Sequence, residues 1–107
     1  MKYTKDDFIK KLIQHEGLRL EVYQDTLGIN TIGIGRNLED RGITNQELSD
    51  LDIPSIEHVY KYGITEADAV YLATNDVEIV EEELLRAHPC VDSLDSVRQL
   101  ILMDMAF

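Results

Sequence analysis

The pattern of apolar residues changes from helical to strand-like at a single glycine, Gly17, and this change most constrains the fold. Upstream of it, apolar side chains recur at helical spacing: Phe8, Leu12 and Ile13. Thr4 is a suitable N-cap for that helix, and Gly17 is a suitable residue to end it. We therefore predict a helix that ends at about His15 or Glu16.

Two strands are predicted directly after this helix. Residues 20–24 and 30–34 are rich in β-branched and aromatic side chains, and residues 25–28 between them have the composition of a turn. The two strands are therefore expected to form an antiparallel hairpin. The polar stretch 37–55 contains Gly42 and Pro54 and predicts loop and short helix.

The second half of the chain has a longer helical pattern. Thr65 and Asp68 are spaced as a capping box, and apolar residues follow at steps of three and four: Val70, Ala73, Val77, Val80 and Leu84. They predict one amphipathic helix over residues 65–87. Pro89 ends it, and an N-cap near Asp92 is predicted to begin a last helix. That helix is apolar on nearly every side, so we expect further chain, a second copy or a partner to cover it.

Composition excludes several classes of protein. Residues 51–107 contain three Lys/Arg and twelve Asp/Glu, so their balance of −9 accounts for most of the net charge of −11. No basic face is available for phosphates, which argues against nucleic-acid binding. No apolar run reaches about twenty residues, so no membrane span is predicted. The single cysteine, Cys90, is interpreted as a small buried residue of a protein made in a reducing compartment, with a reactive or metal-binding thiol as the alternative. The scattered histidines predict no structural zinc site.

The predicted hairpin brings two carboxylates and a hydroxyl together: Glu16, Asp25 and Thr31. Glu16 is expected at the negative end of a helix dipole, a position that disfavours negative charge, whereas Asp25 is expected in a solvated turn. A general acid beside a second carboxylate is an arrangement that can hydrolyse a glycosidic bond. Considered separately, Glu16 is a solvated helix-end residue and Asp25 a turn former, and this alternative remains open.

Strand alternation is expected to place Thr31, Gly33 and Gly35 on one face of the second strand. Glycine weakens a strand, and close approach by a ligand or another backbone is the usual compensation. The three residues predict a floor on which a flat sugar ring can lie. A bulged or sharply twisted hairpin is the alternative.

The segment HEGLRLEVYQDTLGINTIGIGRNL, residues 15–38, resembles the catalytic signature of the phage-type lysozymes, the endolysins of glycoside hydrolase family 24. The segment VDSLDSVRQLILMDMAF, residues 91–107, resembles the helix that follows the interdomain helix of that family. The resemblance implies an α+β, lysozyme-like fold. In that fold an N-terminal helix and a small antiparallel hairpin or sheet lobe, residues 1–64, are joined by an interdomain helix, residues 65–87. The beginning of an incomplete C-terminal helical lobe, residues 88–107, follows.

The resemblance also implies an activity and a set of site residues. Family members hydrolyse the β-1,4 bond between N-acetylmuramic acid and N-acetylglucosamine in peptidoglycan, without metal or cofactor. Glu16 is implied as the general acid, and Asp25 and Thr31 as the residues that position and activate water, with inversion at the anomeric carbon. An inverting pair of carboxylates is expected about 6.5–9.5 Å apart. The implied substrate contacts are Gly33, Gly35, Asn37 and Phe107.

Family members normally continue through further helices, and they usually have asparagine where this chain has Asp104, which predicts a buried charge there. A second hypothesis is therefore a truncated, inactive lysozyme-like module that binds peptidoglycan or a protein partner, or self-associates through the apolar last helix. A third is a purely structural α+β domain. An active enzyme is expected to reside in the host cytoplasm and to be released through membrane lesions. It would then act on the periplasmic cell wall and cause lysis of the host cell.

Overall fold

The computed structural model describes all 107 residues, and its first half consists of one helix, a small sheet and two short helices. Helix α1 spans Lys5–Glu16, and strands β1, β2 and β3 span Arg19–Gln24, Asn30–Gly33 and Arg36–Asn37. Helices α2 and α3 span Asn45–Asp50 and Ile56–Tyr62. The three strands form one antiparallel sheet in the order β1-β2-β3.

The second half is helical. Helix α4 spans Glu66–Ala87, a 3-10 helix follows at Pro89–Ser93, and helix α5 spans Ser96–Ala106. Five α-helices beside a small antiparallel sheet confirm the predicted α+β class. The predicted division into two lobes and an interdomain helix stays a prediction. No helix is long and apolar enough to cross a membrane.

Local capping explains the two helices whose bounds were predicted well. The hydroxyl of Thr4 accepts a hydrogen bond from the N–H of Asp7, and the N–H of Gly17 donates to the carbonyl of Ile13 at 2.9 Å. Gly17 has a φ of 80°, which favours glycine. At α4, Thr65 and Asp68 form the reciprocal capping box.

Other predicted bounds are wrong. The second strand ends at Gly33 instead of residue 34, because Gly33 and Gly35 have φ angles of 69° and 76° and turn the chain back into β3. Neither β3 nor α3 was predicted. The last helix has its N-cap at Asp95 and not at Asp92, because the Asp95 carboxylate accepts the N–H of Arg98 at 2.8 Å, whereas Asp92 lies in the 3-10 helix.

Two clusters of buried apolar side chains hold these elements together, and α4 contributes to both. The first cluster joins α1, α4 and α5 and includes Phe8, Leu12, Val77 and Met103. The second lies between the sheet, α3 and α4 and includes Ile32, Val59, Ala69 and Leu72. Helix α4 therefore fixes the position of the sheet relative to α1, where the candidate site lies.

Helix α5 is buried on one side only. Gln99 and Met103 are completely buried, whereas Val97, Ile101 and Met105 are 64%, 51% and 79% exposed. These exposed side chains are the ones for which cover by further chain, a second copy or a partner was expected, and that expectation stays a prediction. Two expectations for this region are wrong. Asp104 is exposed, because it lies on the outward side of α5, and Cys90 is exposed in the 3-10 helix.

Candidate active site

Glu16 is the last residue of α1, and its side chain is exposed. Its Oε2 atom lies 3.6 Å from the position that a Cβ atom on Gly35 would occupy. The absence of a side chain at Gly35 therefore leaves open space directly beside this carboxylate. The structure brings these two predicted site residues together although nineteen positions separate them in the sequence.

Asp25 lies at the tip of the β1–β2 hairpin and is held by the backbone of its own turn. Its Oδ1 atom accepts the N–H of Leu27 at 2.8 Å and the N–H of Ile29 at 3.0 Å. The N–H of Asp25 donates to the carbonyl of Ile29 at 3.0 Å. One carboxylate oxygen is thus fixed, and Oδ2 makes no hydrogen bond within the protein.

Thr31 lies on β2 with only 5% of its surface exposed. Its hydroxyl donates to the carbonyl of Ile29 at 2.9 Å. Because the hydroxyl has a single hydrogen, this bond leaves only the lone pairs of Oγ1 for another molecule. The main-chain N–H and carbonyl of Ile29 therefore orient the side chains of Asp25 and Thr31 through hydrogen bonds.

Asn37 on β3 lies directly opposite Thr31, which in turn lies opposite Tyr23 on β1. Side chains of directly opposed residues share one face of a sheet, so these three form a row across it. The Oδ1 atom of Asn37 accepts the N–H groups of Glu39 and Asp40 at 2.8 and 2.9 Å. This pairing leaves the Nδ2 amino group of Asn37 as a donor beside Thr31.

Gly33 and Gly35, the two glycines predicted to lie under a bound sugar ring, have different neighbours. Gly33 is buried, and a Cβ atom there would lie 3.5 Å from the Cβ of Ala69 on α4. The close approach that Gly33 allows is therefore made by α4. Gly35 is exposed and is the glycine that adjoins Glu16.

Phe107 and Gly35 line the same cleft, which has a volume of about 190 Å³. The other lining residues are Arg41, Asp76, Ile79 and Val80. The Phe107 ring packs edge-on against Phe8 of α1, with 6.0 Å between the ring centroids. The cleft thus includes Gly35, the glycine next to Glu16, and reaches the C-terminal end of α5 at Phe107.

A buried ionic cluster that the sequence analysis missed supports this region. Arg36 is 2% exposed, and all five of its N–H groups donate within the protein. Two reach the carboxylate of Glu47 at 2.9 Å, and one reaches Asp76 at 3.0 Å. The other two donate to the carbonyls of Gly42 and Leu72 at 3.0 Å. The one signal in the sequence was the position of Arg36, a charged residue two positions after the alternating apolar residues Ile32 and Ile34.

Glu47 is the residue of this cluster whose protonation the fold changes most clearly. Burial by itself raises the pKa of Glu47. Hydrogen bonds from Arg36, from Asn75 and from the N–H of Thr44 outweigh that effect and lower the pKa from 4.5 to about 2. The folded state therefore holds Glu47 ionised at pH values where the unfolded chain binds a proton.

We expect the free energy of unfolding to fall as the pH drops from 4.5 towards 2, because the unfolded chain binds the proton near 4.5 and the folded chain only near 2. Above this range the contribution of Glu47 is fully present, and it amounts to about 3 kcal/mol. Urea unfolding between about pH 6 and about pH 2 measures it. Glu47→Gln should remove this part of the pH dependence, whereas Glu83→Gln at an exposed position of α4 should not. An identical pH dependence in Glu47→Gln and the unaltered protein would contradict the assignment.

No group of three or more His, Cys, Asp and Glu side chains is arranged to hold a metal ion.

The family model described as "Phage lysozyme" matches residues 13–104. The matched range begins within α1 and ends within α5, and it includes the hairpin with all three candidate catalytic side chains.

Proposed function

Because the chain belongs to the phage lysozyme family, we propose that it is a muramidase that hydrolyses the β-1,4 bond between N-acetylmuramic acid and N-acetylglucosamine of peptidoglycan. The observation that best supports this proposal is the open space at Gly35, which gives a ligand access to the carboxylate of Glu16. The adjoining cleft between Gly35 and Phe107 extends that space along the surface.

Glu16 is the proposed general acid. Its exposed side chain makes no hydrogen bond within the protein, so a proton on the carboxyl group can be donated to the glycosidic oxygen. The bond from that oxygen to the anomeric carbon breaks as the oxygen takes the proton. The side-chain-free position at Gly35 lets the sugar ring approach the acid closely enough for this transfer.

Asp25 and Thr31 are proposed to hold the attacking water. The free Oδ2 of Asp25 can accept one hydrogen of this water, and Oγ1 of Thr31 can accept the other because its own hydrogen is bound to the carbonyl of Ile29. A water with both hydrogens engaged directs a lone pair at the anomeric carbon. Asp25 takes up the proton as the new carbon–oxygen bond forms, and attack opposite the leaving group inverts the anomeric centre.

Substrate contacts are proposed at Gly35, Asn37 and Phe107. Gly35 and Phe107 line one cleft, and the free Nδ2 group of Asn37 can donate to a sugar oxygen. Gly33 remains a candidate, but α4 occupies the space next to its α-carbon, so any contact must involve its backbone. We further propose that the enzyme acts on the periplasmic cell wall after release from the host cytoplasm, in host cell lysis.

The second hypothesis, an inactive module that binds peptidoglycan or a partner, is favoured by the exposed apolar side chains of α5. Val97, Ile101 and Met105 lie one helical turn apart on the side opposite to the buried Gln99 and Met103. Such a face is available for self-association or for another chain. It is compatible with catalysis as well, so an activity measurement has to decide.

Digestion of purified peptidoglycan tests the proposal directly. We expect soluble fragments with N-acetylmuramic acid at the reducing end, because Glu16 protonates the oxygen that leaves with N-acetylglucosamine. Proton NMR at early times should show the α-anomer first, since the β-bond is inverted. Fragments that end in N-acetylglucosamine would contradict the proposed bond, and an initial β-anomer would contradict inversion. Binding of peptidoglycan without any release of fragments would support the second hypothesis.

A further inference from the structure

Arg41 forms an ion pair with Asp76 and donates no hydrogen bond within the protein. Its Nε lies 2.8 Å from Oδ1 of Asp76, and the side chain is 31% exposed. The Nη1 and Nη2 groups donate to no acceptor within the protein. The ion pair therefore restrains the side chain, while the four N–H donors of Nη1 and Nη2 remain available to a ligand.

The position of Asp76 is itself determined by the buried cluster. Its Oδ2 accepts the Nε–H of Arg36 at 3.0 Å, and Arg36 is bound on its other side by Glu47. Asp76 is only 14% exposed, so Arg41 is paired with a carboxylate that lies below the protein surface. Because the guanidinium is held before a ligand arrives, less side-chain entropy is lost on binding.

Arg41 lies in the cleft that includes the glycine next to the proposed acid. Gly35 and Phe107 line that cleft with it, and Arg41 is the only positively charged residue among the lining residues. Gly35 is also the residue next to the Glu16 carboxylate. A ligand bound with a sugar ring at Gly35 thus has its neighbouring groups within this cleft.

We propose that Arg41 binds a carboxylate of the peptide stem that peptidoglycan carries on its muramic acid residues. This inference rests on the proposed function and adds a specificity-determining contact to it. A planar guanidinium matches a carboxylate with two parallel hydrogen bonds, which a lysine cannot do. The protein has a net charge of −11, so an anionic substrate is repelled unless a local cation compensates. Arg41 provides that cation next to the site of cleavage.

Binding of two matched ligands to a Glu16→Gln background tests the proposal without turnover. The first ligand is a soluble peptidoglycan tetrasaccharide with intact peptide stems, and the second is the same molecule with its stem carboxylates converted to amides. Titration calorimetry should show about tenfold tighter binding of the acidic ligand. With Arg41→Gln added, the acidic ligand should bind as weakly as the amidated one, whose affinity should be unchanged.

Two further variants separate binding from folding. Arg41→Lys keeps a positive charge next to Asp76 and should retain part of the preference for the acidic ligand. Arg98→Gln removes the same charge from a side chain that is 71% exposed on α5, and it should retain all of it. Because calorimetry gives the number of binding sites separately from the affinity, a partly unfolded sample lowers the first and not the second.

The outcomes distinguish this inference from the proposal on which it rests. If Arg41→Gln weakens both ligands equally, or if the preference for the acidic ligand persists, Arg41 does not bind a stem carboxylate, and the proposed muramidase is unaffected. If neither ligand binds in the Glu16→Gln background with Arg41 intact, the proposed function fails, and the role of Arg41 fails with it.

Discussion

Glu16→Gln is expected to lower kcat for peptidoglycan hydrolysis by about 10²–10⁴-fold while changing the free energy of unfolding by no more than about 0.5 kcal/mol. The variant keeps the size and polarity of the side chain and removes only the transferable proton. The native side chain is exposed and makes no hydrogen bond within the protein, so its replacement leaves no group without a partner. Release of reducing ends measures the activity, and urea unfolding measures the stability.

Glu21→Gln is the matched control for this variant, because Glu21 is also exposed and lies on β1 of the same hairpin. It should retain full activity. Undiminished release of reducing ends by Glu16→Gln would exclude Glu16 as the acid. A large loss in both variants would indicate that the negative charge of this surface matters, and not the proton of one carboxyl group.

Arg36→Met is expected to lower the free energy of unfolding by about 3–5 kcal/mol. Methionine fits much of the volume of the arginine stem but donates no hydrogen bond. Glu47 and Asp76 would then lose the guanidinium that neutralises them in the interior, Asp76 would keep only its ion pair with Arg41, and two backbone carbonyls would lose their donor. Since a domain of this size is stable by about 5–15 kcal/mol, the variant should be close to unfolding at room temperature.

Arg98→Met provides the comparison for Arg36→Met, because Arg98 is 71% exposed. Its ion pair with Asp95 is long, at 3.9 Å, and lies in solvent. Its free energy of unfolding should change by less than about 0.5 kcal/mol. Urea unfolding followed by circular dichroism measures both variants. A loss below about 1 kcal/mol in Arg36→Met would show that the buried carboxylates find other partners, and the ionic cluster would then not be a main source of stability.

The elements that could be predicted from the sequence are those that local hydrogen bonds determine. Thr4 and Thr65 cap their helices through N–H groups three residues ahead, so short windows of sequence contain the complete signal. Asp95 satisfies the same rule, but the sequence pattern alone does not distinguish it from Asp92. Asp92 lies in the 3-10 helix at Pro89–Ser93, and apolar spacing does not indicate such a short helix.

The remainder of the site depends on residues far apart in the chain. Arg36 contacts Glu47 and Asp76 across separations of 11 and 40 residues, and neither spacing belongs to a known motif. Gly33 and Gly35 have the same signal in the sequence, but one faces α4 and the other adjoins Glu16. Only the packing of α4 against the sheet distinguishes them. The roles assigned to these residues in catalysis and binding stay predictions.

The hydrogen bonds to Ile29 make the spacing of the proposed water-binding groups depend on the length of the turn. Both Asp25 and Thr31 are held by the main chain of residue 29, and the N–H of Gly28 closes the turn onto the carbonyl of Asp25 at 3.0 Å. Main-chain groups are the same for every residue type except proline, which lacks the N–H. Substitution of Thr26 or Leu27 is therefore compatible with the geometry, whereas insertion or deletion of one residue is not. In evolution or in directed libraries, this hairpin should vary in composition and remain constant in number of residues.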